Sequence, residues 1–277
     1  MKISVVTSFN REGYEDYGRR CIESLHQFWP TEVALYVISE DIIDLPPHIK
    51  DTRKFYYLNL YHSSTAAHDF HIMHVGDPKA HGRDRLAAKA RYNRHWKTGY
   101  NFRKDAYKFS KKVFAIDVAA KHAGSGLLIW LDADTLTFKD IPISFLQDFM
   151  PNNFDLACLE RRGYHSECGF VIYNLNRPTT KNFISKFVNL YYTGDVFTLP
   201  EWHDSWVFDW LRKKLLVSTF SIPHTDMAHP FNYSKLGEYM DHMKGDRKYT
   251  GVKMEDVIVR RPVRRWNKPK RFLPKRT

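Results

Sequence analysis

The chain has 277 residues, 43% of them hydrophobic and 15% aromatic, which is enough to bury a large core and too apolar for a disordered protein. Its formal charge of +12 points to an anionic partner. Cys21, Cys158 and Cys168 are too few, and odd in number, for a disulfide framework, no run reaches the roughly 18–20 apolar residues of a membrane helix, and the apolar run before Arg11 is too short for a signal peptide. A cytoplasmic protein is expected, at most peripheral to the inner face of a membrane.

Lys2 to Phe9 is rich in β-branched residues and reads as a buried strand, with its turn at Asn10-Arg-Glu-Gly13. Tyr17, Cys21, Leu25 and Phe28 then share one face of a helix predicted from about Tyr14 to Phe28, which Pro30 stops. Glu32 to Ser39 reads as a second strand. Such a βαβ unit opens an α/β fold with a mostly parallel central sheet flanked by helices, in which ligands bind at the C-terminal ends of the strands. Thr7, Phe9 and Tyr14 lie at such an end, although each is also an ordinary turn or packing residue.

From about Tyr61 to Tyr100 the periodicity fails. His68, His71 and His74 are spaced to share a helix face, but no Cys or carboxylate is placed to complete a zinc site with them. Residues 62–100 are predicted to be an insertion, loop-rich, that lines or covers a site. A helix follows from about Arg103 to His122, with Phe109, Val113, Ile116 and Ala120 as its apolar stripe. Lys104, Lys108 and Lys111 form another face, either solvated or turned towards a diphosphate. Gly124-Ser-Gly126 ends the helix, and because it precedes a strand it is not a dinucleotide fingerprint.

Leu127 to Leu131 runs without interruption into Asp132-Ala-Asp134, the pattern of a strand buried on both faces that surfaces at its C-terminal end. If the segment stays extended, residues i and i+2 point the same way and both carboxylates can approach one cation. The alternative is a plain strand-ending turn, since Asp is common in turns. Further on, a short helix reaches about Met150, strands cover Phe154 to Leu159 and Gly169 to Tyr173, and helices cover Thr179 to Tyr192 and Trp202 to about Leu215. Asp204 opens the last helix, where an acid also serves as an N-cap or first-turn residue.

The order of these parts resembles a GT-A glycosyltransferase, most of all the glycogenin and galactosyltransferase-like group called family eight. Val6-Thr7-Ser8 with Tyr14, the basic helix before Leu131-Asp-Ala-Asp-Thr135, the strand Glu167-Cys-Gly-Phe-Val171, the pair His203-Asp204 and the spacing His242-x-x-Gly245-x-x-Lys248 carry the likeness. It implies a single GT-A (Rossmann-like) domain over residues 1–250, with a basic C-terminal tail at 251–277. It also implies Mn2+ or Mg2+ held by Asp132, Asp134 and His242, with His229 as the rival to His242. The donor would be a nucleotide-sugar, in this group a UDP-sugar, contacted by Thr7, Phe9, Tyr14, Lys108, Asp132 and Lys248. Asp204 and Glu167 would serve as catalytic carboxylates at the sugar or acceptor, with Glu160 as a rival. Glu167-Cys168 stands where the group has Asn-Ala, His203 where it has Gln, and Tyr249-Thr250 where it has Pro-Trp, so the likeness does not extend to donor sugar or stereochemical outcome.

From Arg260 onward the chain carries nine Lys or Arg and no acid, interleaved with Trp266, Phe272 and Leu273. Such a tail suits an anionic membrane surface or a polyanion, or is simply solvated. The acceptors it favours are a glycan, a lipopolysaccharide or a lipid-linked acceptor. The competing expectation is a non-enzymatic nucleic-acid-binding or virion-associated protein whose basic surface is its function.

Overall fold

The computed structural model describes residues 1–50, 54–83, 99–151, 153–245 and 247. A seven-stranded sheet runs in the order β3-β2-β1-β4-β7-β6-β8. Its strands are β1 (Ile3–Phe9), β2 (Ala34–Ser39), β3 (Phe55–Asn59), β4 (Leu127–Leu131), β6 (Leu156–Leu159), β7 (Glu167–Asn174) and β8 (Thr219–Ser221). β1 pairs in parallel with β2 and β4, and β2 with β3; β7 runs antiparallel to both β4 and β6, and β6 is parallel to β8. The fold is therefore α/β with a mixed, mostly parallel sheet. A second sheet joins β5 (Thr135–Thr137) to β9 (Met240–His242).

The period-two alternation of the strands sorts the core onto two faces. Leu127, Ile129 and Leu131 of β4 pack with Ile3, Val5 and Phe170 on one face, while Leu128 and Trp130 pack with Val6, Tyr36 and Tyr173 on the other. All of β4 is buried, so each large aliphatic side chain contributes about 1.5–3 kcal/mol by leaving water. Helices α1 (Arg19–Phe28), α2 (Thr65–His74), α3 (Ala106–Ala123), α4 (Ile143–Asp148), α5 (Pro178–Tyr192) and α6 (Asp204–Lys214) flank the sheet. Helix α3 is buried from Val113 to Ala119, wider than the stripe read from its sequence, because it lies between the sheet and α5. None of the helices among the described residues is long and apolar enough to cross a membrane.

The structure departs from the sequence reading in several places, the short strands β5, β8 and β9 among them. The helix after β1 begins at Arg11 and passes through a π-helical turn at Tyr14–Gly18 before α1. β3 was not legible, since its residues are only half-buried at the sheet edge and lack alternation. The segment predicted to be loop-rich from residue 62 instead folds α2, started by the Ser64 side chain accepting from the Ala67 N–H at 3.2 Å. The basic tail at 251–277, Lys248 and residues 84–98 lie outside the described residues.

Candidate active site

The C-terminal ends of β1, β2 and β4 open into a cavity of about 830 Å³. The antiparallel run of β7 places its first residues, Glu167 to Gly169, beside the last of β4, and the Asp132 N–H donates to Gly169 O at 2.9 Å. The first turn of α6 brings Asp204 and Ser205 to the same wall. Carboxylates outnumber lysines around this cavity although the whole chain is strongly basic.

Asp132 and Asp134 do converge, but not because the segment is extended. Asp132-Ala-Asp134 is a turn, closed by the Thr135 N–H on Asp132 O at 3.0 Å, so the turn alternative and the two-carboxylate reading hold together. Strand β9 supplies the third group. The β5–β9 register sets Thr135 opposite His242, and the Met243 N–H donates to Asp134 O at 2.9 Å. His242 Nε2 consequently stands 3.0 Å from Asp134 Oδ1 and 3.5 Å from Asp132 Oδ2. The ring has room because position 169 is glycine: a Cβ there would lie 2.5 Å from His242 Cε1. His229 is exposed on the preceding loop, and the structure brings His242 rather than His229 to the aspartates.

Each oxygen of Asp132 has its own partner. Oδ1 accepts from Trp130 Nε1 at 2.6 Å and from Lys112 Nζ at 3.0 Å, leaving Oδ2 facing His242. Lys112 also reaches Asp204 Oδ2 at 2.8 Å, so one buried ammonium bridges two of the cavity's carboxylates. Burial disfavours its charge, but Asp132 and Asp204 overcome that and hold its pKa well above the ordinary lysine value. Burial likewise opposes charge on Asp132, yet Lys112 and His242 keep its pKa below the usual aspartate value. At His242 burial is again outweighed, here by Asp134 and Glu167, and the imidazole pKa is raised.

Glu167 forms an ion pair with Lys244, and its Oε1 lies 3.5 Å from His242 Nδ1, a buried nitrogen without a hydrogen bond. Asp132, Glu167 and His242 each offer one ligand atom within 4.8 Å of the others. Glu167 thus belongs to the His242 cluster and lines the cavity with it. Of the other expected residues, Phe9, Lys108 and Asp204 line the cavity. Thr7 and Tyr14 do not; both are buried, and Tyr14 packs 5.4 Å from Phe9 in the core. On the helix after β1 the wall is made by Gly13, Asp16 and Tyr17, three and four positions apart and so on one helix face, which Tyr14 does not share.

Lys112 and Glu40 were not marked from the sequence, and Gly169 was read only as part of a strand. Lys112 lies one position beyond the lysine face chosen on α3. Glu40 follows the end of β2 and pairs with Lys111, and the strand-end rule applied to Asp132 would have found it. Gly169, in a strand of otherwise bulky residues, was the available sign that something packs closely there.

No protein-family model matches the chain, and no curated protein does. Solved structures do resemble it. The apo form of mouse xyloside xylosyltransferase 1 aligns with 10% identity and a TM-score of 0.45, over 80% of this chain and 85% of that one. The glycosyltransferase GlyE of Streptococcus pneumoniae TIGR4 aligns with 12% identity and a TM-score of 0.46 over 80% of this chain, which spans 45% of GlyE. A glycosyltransferase involved in the glycosylation of the major capsid of PBCV-1 aligns with 12% identity and a TM-score of 0.48, over 91% of this chain and 100% of that one.

Proposed function

We propose that the protein is a metal-dependent glycosyltransferase of GT-A type that moves a sugar from a nucleotide-sugar, in our reading a UDP-sugar, to an acceptor. The observation that carries this reading is the meeting of Asp132, Asp134 and His242 at the rim of a cavity, from positions more than a hundred residues apart in sequence. Two carboxylates and one imidazole fit a divalent cation such as Mn2+, or Mg2+, that keeps positions open for phosphate oxygens. The fit rests on Asp132 Oδ2, which faces His242 Nε2 rather than Lys112 or Trp130, and on the space that Gly169 leaves for the His242 ring. When bound, the ion acts as a Lewis acid that stabilises the departing nucleoside diphosphate.

The remaining work belongs to the chain. Lys108 and Lys244 put positive charge on the cavity wall where a diphosphate needs it, and Lys248 is a candidate for the same task. Phe9 and Tyr17 offer ring surface at the β1 end for a base. Lys112 orients Asp204, which we assign to a sugar or acceptor hydroxyl. The acceptor is proposed to be a glycan, a lipopolysaccharide or a lipid-linked sugar. A nucleic-acid-binding role is not favoured, because carboxylates crowd the described cavity.

The test is hydrolysis of a panel of nucleotide-sugars in the presence of Mn2+. A UDP-sugar should be slowly hydrolysed, and Asp134→Ala should abolish the reaction; unchanged hydrolysis in that variant would sink the assignment.

A further inference from the structure

A second group of side chains outside the cavity has metal-donor chemistry. His165 lies on the connection between β6 and β7, and Glu201 and His203 stand in the segment that leads into α6. Glu201 Oε2 is 2.9 Å from His203 Nε2 and 3.6 Å from His165 Nε2, and the cluster's ligand atoms all lie within 4.8 Å of one another. Ligands around a tetrahedral Zn2+ with bonds of 2.0–2.1 Å sit roughly 3.3 Å apart, a value the two Glu201 distances bracket. Two imidazoles and one carboxylate suit zinc-class ions better than the hard cations that take oxygen alone.

The surroundings hold two donors and leave the third accessible. The His203 side chain is 7% exposed and that of Glu201 17%, while that of His165 is 38% exposed, which gives an ion a way in. Arg103 Nη1 donates to the other Glu201 oxygen, Oε1, at 3.1 Å, and the rings of Phe102 and Phe109 pack against His203 at 5.6 and 5.8 Å. Outer partners of this kind set the aim of a carboxylate and an imidazole before an ion arrives.

We propose that His165, Glu201 and His203 form a zinc-class metal site, separate from the Asp132/Asp134/His242 cluster, that clamps the β6–β7 connection to the start of α6. In the metal-free protein a hydrogen bond between His203 and Glu201 occupies the place of the ion, and binding displaces the proton of that bond. Because His203 directly precedes Asp204, the clamp would fix the turn that presents Asp204 to Lys112.

The full chain, stripped with a chelator, is titrated with Zn2+ and with Co2+ as a spectroscopic probe. One tight equivalent of Zn2+ and a tetrahedral Co2+ spectrum are expected in His242→Ala, which lacks the imidazole of the first cluster, with Zn2+ raising the thermal midpoint. Both signals should be lost when His165→Ala is added to that variant and recovered when His165→Cys is added instead, which restores a zinc donor at a half-exposed position. A missing tight equivalent in His242→Ala, or an unchanged Co2+ spectrum on adding His165→Ala, would overturn the proposal. Sugar transfer is not a readout, so the result stands apart from that of the donor-hydrolysis test.

Discussion

Lys112 shows how one side chain can hold a site together. Its ammonium is the shared partner of Asp132 and Asp204, and removing it leaves two poorly solvated carboxylates close to one another. Breaking a buried pair costs about 3–5 kcal/mol, and with Asp132 29% exposed we expect Lys112→Met to cost about 2–4 kcal/mol in urea unfolding at neutral pH. The loss should shrink in acid, where the carboxylates are protonated; a cost independent of pH would point to packing instead. His242 gives the opposite pH signature. Its folded pKa is raised above 6.5, so its contribution is complete below the unfolded value and is lost as pH rises through the folded one. Metal-free protein should therefore lose stability on going alkaline from about pH 6.5, with a flatter profile in His242→Gln. Mn2+ affinity should rise over that same range, because the imidazole must shed its proton to bind. Parallel stability profiles in the two proteins would exclude His242 as the source.

At the scale of elements, the decisive pairing is β5 with β9. Three residue pairs of antiparallel ladder fix which side chain of β9 faces the Asp132–Asp134 turn, and a slip of one position would present Asp241 or Met243 instead of His242. The Met243 N–H to Asp134 O bond closes this register. Met243→Pro removes it and should destabilise the pairing by about 1–3 kcal/mol, with Mn2+ binding weakened more than global stability. Calorimetric titration alongside thermal unfolding separates the two effects; a matching loss in both would mean that the pairing supports the whole fold.

For the molecule as a whole, charge is segregated. A carboxylate-lined cavity sits in a chain of +12 net charge, and the stretch from Arg260 to the C-terminus carries nine basic residues with no acid among them. We expect removal of residues 251–277 to abolish binding to anionic vesicles, which should be salt-sensitive in the full chain, and to leave Mn2+-dependent donor hydrolysis intact. Vesicle binding that survives truncation would place the membrane or polyanion contact elsewhere.

The sequence alone determined the local features: the buried strand ending in Asp132-Ala-Asp134, the βαβ opening, and the helices whose apolar stripes and stops are written in consecutive residues. These were legible because hydrophobic period and turn chemistry act over a few residues. Its resemblance to the group's His-x-x-Gly-x-x-Lys pattern, through Gly245 and Lys248, is what put His242 ahead of His229. What the tertiary structure decided was which distant groups meet. Only the β5–β9 register puts His242 on the aspartates, only the antiparallel β7 sets Glu167 behind that ring, and only the packing of α3 selects Lys112 over its lysine neighbours. Thr7 and Tyr14 turned inward for the same reason, since the face a side chain takes near a strand end depends on what packs against it, and that information lies outside the local sequence.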